Sequence, residues 1–480
     1  MSDQHFVGDG VHPLTPISNL PSDLAMAIAH EGGGRVVLVV GAGVSVEAPT
    51  SLPSGTAVAI DAHRRLVADG VLQAGRCELP DDLSVVADTV VEVSGSQHEL
   101  VVRLPGERFI AAQPNDGHLL AAALLREWAI SSVLTLNFDL AFTNALLMVG
   151  ANTDVAQVRG PEDQARLSSF NLVYLHRTAH HPADEWILTT DALTTAWTDT
   201  WEHAIASRVL AAPVVVFAGL GSPAAVLTET ARRLVAVLVT GVHVYQVDVI
   251  PHAESAFAAQ LGLGAADYLQ LGWIEFMRSL ASRFIEEQAT LISQACGKLA
   301  QDNGWAAEDV DPLCREIVRR GLIELGQVRA RWMLEETPYL PGCLCDRDHV
   351  ADVLLVVRMI ERQSGTAARI HTDGVVEFWD ADRLRWALAF VSARGKWAWT
   401  ALEPRVARAR LGWRERMSDV RTVVVTGSTG PNLSVVSAPS SIVAASTRDD
   451  IITGAADVSF VDAHSLRAAS AAEVEEFLNA

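Results

Sequence analysis

Five short β-branched runs, four of them emptying into a glycine-rich or polar turn, constrain this chain more than any other feature. They are Arg35–Val40 (RVVLVV), Ser132–Leu136 (SVLTL), Leu172–Leu175 (LVYL), Pro213–Ala218 (PVVVFA) and Val242–Val247 (VHVYQV). An unbroken apolar run of this length suits a strand buried on both faces, the condition of a parallel sheet covered by helices. The alanine- and leucine-rich stretches between them, such as Gly117–Ile130 and Ala224–Leu238, have the length and apolar spacing of those helices. The expected fold is α/β, a Rossmann-like doubly wound parallel sheet, with ligands at the carboxyl ends of its strands.

At 480 residues the chain exceeds one ordinary domain. The expected division is 1–290 for the parallel-sheet domain, 291–340 for a helical connector and 341–480 for a smaller mixed α/β domain. Amphipathic spacing in Ile274–Gln294 and Leu313–Met333 marks the helical part, and the Pro/Gly/Cys loop Thr337–Asp348 marks the second boundary. Strand-like runs follow at Gly374–Trp379, Lys396–Thr400 and Thr422–Thr426.

Charge excludes one class of partner. With 37 basic and 58 acidic residues the net charge is −21, which argues against general binding to a nucleic-acid backbone. Five irregularly spaced cysteines give no disulfide framework and suit a reducing cytoplasm. The opening MSDQHFVGDG has neither the charge nor the apolar core of a signal peptide. The uncharged stretch Val209–Thr228 is cut by Pro213, Gly219, Gly221 and Pro223 into strand and turn, so no membrane span is expected.

Four strand ends carry residues suited to chemistry. Gly41-Ala42-Gly43-Val44-Ser45 follows the first run, and its glycines would let backbone approach a pyrophosphate. Asn137-Phe138-Asp139 follows the second, His176-Arg177 the third and Gly219-Leu220-Gly221-Ser222 the fourth. Each has a plain structural reading too. Glycine suits any tight turn, Asn and Asp cap helices, and a histidine can simply end a strand.

In this order the four segments resemble the sirtuin family, whose pattern runs GAGxS, T-x-N-x-D, a strand ending in L-H, and a second strand ending in a glycine turn. Pro114-Asn115 with His118-Leu119, and Ile187-Leu188-Thr189-Thr190, resemble further sirtuin-like pieces, and the likeness covers roughly residues 25 to 260. The resemblance implies NAD as substrate. Gly41, Ala42, Gly43 and Ser45 would line the dinucleotide, Asn137 would hold the nicotinamide-side ribose and Asp139 the carboxamide. His176 would act as base. Gly219, Gly221 and Ser222 would meet phosphate or adenosine ribose, and Asp248 would accept from the adenosine ribose hydroxyls.

Departures from the family point within it. The two Cys-x-x-Cys pairs of the deacylating members are missing, since no cysteine lies between Cys77 and Cys296. The loop after GAGxS reads Ala48-Pro49-Thr50-Ser51-Leu52-Pro53-Ser54-Gly55, without the usual Phe-Arg, and Arg177 replaces the glycine after the histidine. Arg177 could narrow an acyl-lysine channel or contact a phosphate. These features resemble the bacterial sirtuin-like effectors that destroy NAD, often in phage defence. The expectation is an NAD glycohydrolase needing no metal, with a sensing or assembly domain at its C-terminus. It would act as a homo-oligomer, under a neighbouring ATPase of the translocase type or a phage-derived activator. A silent NAD or ADP-ribose sensor and a zinc-less deacylase are the alternatives.

Other segments carry less. His176, His180 and His181 with Asp184 lack the Glu of a helical zinc motif. Thr426-Gly427-Ser428-Thr429-Gly430 lacks the Lys-Ser/Thr ending of a phosphate loop, and neither Lys298 nor Lys396 has the carboxylate partner of a restriction-type nuclease.

Overall fold

Val36–Val40 (β1) is buried at all five positions, and its partners explain why. It pairs in parallel register with Ile130–Thr135 (β2) on one side and Val214–Ala218 (β5) on the other. The computed structural model describes residues 20–30, 32–195, 200–220, 241–302, 312, 315–316, 319–332, 344–392, 420–426 and 459–479. They form two compact units, Leu14–Phe284 and Ile285–Ala480.

The N-terminal unit holds a seven-stranded, wholly parallel sheet. Ala156–Val158 (β3), Asn171–Tyr174 (β4), His243–Asp248 (β6) and Tyr268–Gln270 (β7) complete it in the order β3-β4-β2-β1-β5-β6-β7. Side-chain alternation sends Val37 and Val39 to one face, where they pack with Ile205, Ala206 and Val209 of the helix Trp201–Val209. The chain leaves β1 towards β2 but leaves β5 towards β6. The reversal opens a crevice between the carboxyl ends of β1 and β5, where doubly wound folds bind ligands.

Helices 55–68 and 83–94 build a second cluster around Val58, Leu66, Val86 and Val90. Ser54 and Asp82 cap them by accepting from Ala57 N and Ser84 N.

The C-terminal unit has its own five-stranded sheet. Ala367–Ile370 (β8), Val375–Asp380 (β9) and Arg383–Ser392 (β10) form an antiparallel meander, and Val420–Thr426 (β11) and Ser459–Asp462 (β12) continue it in parallel. The helix Leu344–Ser364 is buried along Val353–Val357 and packs with Phe378, Leu388, Phe390 and Val424.

The five expected strands are present with ends shifted by a residue or two. The edge strands β3 and β7, three residues each, carry too little apolar signal to be read from sequence. The helix expected over 117–130 stops at Arg126, and Ile130 already belongs to β2. Strand β10 was not expected, because its RLRWALAF is rich in helix formers and only pairing on both sides makes it a strand. The Ala224–Leu238 helix and the Lys396–Thr400 strand lie outside the described residues.

Candidate active site

The two glycine turns at the centre of the sheet interlock. Gly41 N donates to Ala218 O (3.0 Å) and Gly43 N to Gly219 O (2.9 Å), so β1 and β5 stay joined beyond their last residues. A Cβ on Gly43 would lie 2.6 Å from the Gly219 Cα; one on Gly219, whose φ is +66°, would lie 2.5 Å from Val44 N. Only glycine fits both sides of this approach. The turn then tightens into a 3-10 helix, Ala42–Ser45, which buries Ser45.

Ser45 is the hub of the site. Its Oγ donates to Asp139 Oδ2 (3.0 Å) and lies 3.4 Å from His118 Nε2 and 3.5 Å from Asn137 Nδ2. Asn137 Nδ2 also donates to Gly41 O (3.1 Å), tying the end of β2 to the end of β1. Asp139 Oδ1 accepts from Ala141 N (3.0 Å), the amide that opens the helix Ala141–Met148. Asp139 therefore serves both readings of its motif, as a helix-end acceptor and as a site carboxylate. From below, Asn115 caps the helix Asp116–Arg126 through His118 N and donates to Val44 O (2.9 Å).

Burial sets the charges. It pushes the Asp139 carboxyl up, against hydrogen bonds from Ala141, Ser45 and Asn137. It drives the enclosed His118 imidazole down to about 3. His176 is brought down to about 4 by burial and by the neighbouring Arg177 charge, against a hydrogen bond to the Leu136 backbone. His176 is 5% exposed, and its Nε2 has no hydrogen-bond partner among the described residues.

One pocket gathers Gly41, Ala42, Ser45, Asn137, Asp139 and His176. The N-terminal ends of helices 55–68 and 83–94 reach it through Gly55, Thr56, Leu83 and Ser84, with Ser54 and Asp82 already accepting from their first amides. Leu52, Val58, Phe109, Phe138, Ile187 and Leu188 supply an apolar wall. Phe138 stacks on Trp186 with centroids 4.4 Å apart. Gln97 Nε2 donates to Ala183 O and Trp186 O at 2.6 and 2.7 Å, which fixes the segment that carries Ile187 and Leu188.

Of the other expected site residues, Gly43 and Gly219 form the interlocked turns behind the pocket. Asp248 ends β6 and accepts from Ile250 N (3.3 Å), but it does not line the pocket. Gly221 and Ser222 lie outside the described residues. Arg177 does not line the pocket either, since its guanidinium turns to Glu202 and Trp201. His181 Nδ1 is engaged by Thr178, and no group of three or more His, Cys, Asp or Glu is placed to hold a metal among the described residues. Sequence reasoning missed Phe109 and the helix ends at Ser54 and Asp82. The caps were legible as Ser and Asp before apolar runs; nothing local marked Phe109.

The buried imidazoles make stability depend on pH. A histidine held below its ordinary 6.5 lets the unfolded chain take up protons first, so stability is full above that value and falls with pH towards the folded value. Asp139, displaced the other way, opposes this in part. The midpoint of thermal unfolding should fall between pH 6.5 and 4.5, and His118→Asn should make the slope shallower. Equal slopes would disprove the assignment.

No family model matches the chain, and no curated protein does. Solved structures do. A substituted Sir2 homologue in complex with ADP-ribose is 18% identical, covering 56% of this chain and 97% of its own at a TM-score of 0.31. A Sir2 homolog–NAD complex is 18% identical, with 56% and 95% covered and a TM-score of 0.28. At scores this low the case for a function stands on the pocket's own geometry. Among the described residues, no helix is long and apolar enough to cross a membrane.

Proposed function

We propose that the N-terminal unit is an NAD glycohydrolase, releasing nicotinamide and leaving ADP-ribose. The observation that carries this is the convergence of Ser45, Asn137, Asp139 and His176 on one pocket at the carboxyl edge of a parallel sheet, with His176 Nε2 unpartnered among the described residues.

Each group has a role its chemistry allows. Asp139 accepts from the carboxamide N–H of nicotinamide. Asn137 donates through Nδ2 to Gly41 O, leaving its Oδ1 to accept from a ribose hydroxyl or a water. Breaking the nicotinamide–ribose bond sends its electron pair to the ring nitrogen and leaves oxocarbenium character at the anomeric carbon. Water bonds to that carbon, and His176 Nε2 takes the proton released. The apolar wall excludes bulk water, so these few dipoles act at full strength.

A second reading is a sensor that binds NAD or ADP-ribose without turnover. The low proton affinity of His176 favours it, because a base held near 4 gives little driving force for proton transfer at neutral pH. On the sequence resemblance alone, the proposal extends to a regulated antiviral effector acting as an oligomer. Residues from about 341 would sense or assemble, and a neighbouring ATPase or phage-derived protein would activate.

The deciding experiment measures nicotinamide released from NAD by wild type and Asn137→Ala over a range of protein concentrations, with and without an acylated-lysine peptide. Release without peptide, lost in a folded Asn137→Ala variant, supports the hydrolase. Release only with peptide makes the chain a deacylase. NAD binding without release makes it a sensor.

A further inference from the structure

The residue after His176 is in a conformation that its side chain does not favour. Arg177 has φ +78°, in the left-handed region where a Cβ crowds the backbone and glycine is the usual occupant. Such a residue persists only where its surroundings hold it, and these are well defined. The guanidinium carbon sits 4.9 Å from the centroid of the Trp201 ring, and Nη1 lies 3.5 Å from Glu202 Oε1. Glu202 is 3% exposed. Both partners open the helix Trp201–Val209, which is fixed to the sheet through Ile205, Ala206 and Val209. The contacts run from the sheet, through that helix, to the backbone directly beside His176.

Among the described residues the charges around the imidazole are few. Asp139 comes from β2, with its oxygens held by Ser45 and Ala141. Asp81 and Asp82 come from the approach to helix 83–94, with Asp82 bound to the Ser84 amide. His118 lies beyond Ser45 and His181 is held by Thr178. Among the described residues Arg177 is the cation acting on the ring, and it pairs with Glu202.

We propose that Arg177 is a positioning residue for His176. Anchored on Trp201 and Glu202, it fixes the backbone beside His176, whose imidazole lines the pocket, and places next to the ring a positive charge that disfavours the imidazolium. This rests on His176 facing the substrate, as in the function proposed above. It also accounts for an arginine where the backbone asks for glycine. The charge matters, and the ion pair with the stacked ring holds the conformation.

The test is an NMR titration of the His176 ring in the full chain, its signal assigned by loss in His176→Asn, for wild type, Arg177→Gly, Arg177→Lys and Glu202→Gln. Arg177→Gly suits the backbone and should fold. It should raise the His176 midpoint by about one pH unit, a tenfold change in proton affinity, while Arg177→Lys keeps it close to wild type. Glu202→Gln, which leaves the guanidinium uncompensated, should move it the opposite way. A folded Arg177→Gly with an unmoved midpoint overturns the proposal, as does an upward shift in Glu202→Gln. The titration needs no turnover, so a chain that binds NAD, releases no nicotinamide and still shows these shifts is the sensor and keeps the role of Arg177.

Discussion

Replacing His176 with alanine should lower nicotinamide release by about 10²-fold, the lower end for a positioned general base, while NAD affinity changes little. The imidazole lines the pocket from the end of β4, and its Nε2 has no partner among the described residues, so its removal breaks no hydrogen bond of Nε2. The loss should fall on kcat rather than KM, because an interaction made only as the water attacks contributes nothing to ground-state binding. Steady-state kinetics of the folded variant decide it. A KM that rises while kcat stays level would make His176 a binding residue and remove the base from the mechanism.

The second large effect is structural. Gly219→Ala should destabilise the N-terminal unit by about 3 kcal/mol, adding the cost of a left-handed alanine to that of overpacking. The new methyl would meet the Val44 backbone nitrogen at 2.5 Å, and neither side can retreat without parting β5 from the turn that follows β1. For a unit of this size the expected fall in Tm is about 5 °C. Differential scanning calorimetry or circular dichroism on heating measures it, and a shift of a degree or less would show that the two turns are not locked together. NAD binding should weaken along with stability, because Gly41, Ala42 and Ser45 all follow from that turn.

The central strands and their terminal residues were legible because one physical cause writes both. A strand buried on two faces must be apolar without interruption, as VVLVV and VVVFA are, and its polar chemistry is then displaced to the first residues beyond it. Asn137, Asp139 and His176 stand at such positions, and the structure brings them to one pocket with Ser45. The apolar wall was less legible. Phe109 and Leu193 sit in short helices whose patterns say only that they are buried, and their place in the pocket depends on chain pairings far apart in sequence. Asp248 shows the opposite limit. It ends a strand as ligand-binding acids do, yet β5 stands between its strand and β1, and it is not among the described residues that line the pocket.

The hydrogen bonds that assemble the pocket also order its appearance in time. Ser45 and Asp139 are separated by 94 residues, Asn137 and Gly41 by 96, and Gln97 and Trp186 by 89. Closing loops of that length precedes any reward from the contacts they permit, so the pocket belongs to the late, non-local part of folding. The lock between the two turns waits longer still, until Gly219 has been made and β5 has inserted beside β1. A growing chain thus passes through most of the N-terminal unit before the two turns behind the pocket can lock.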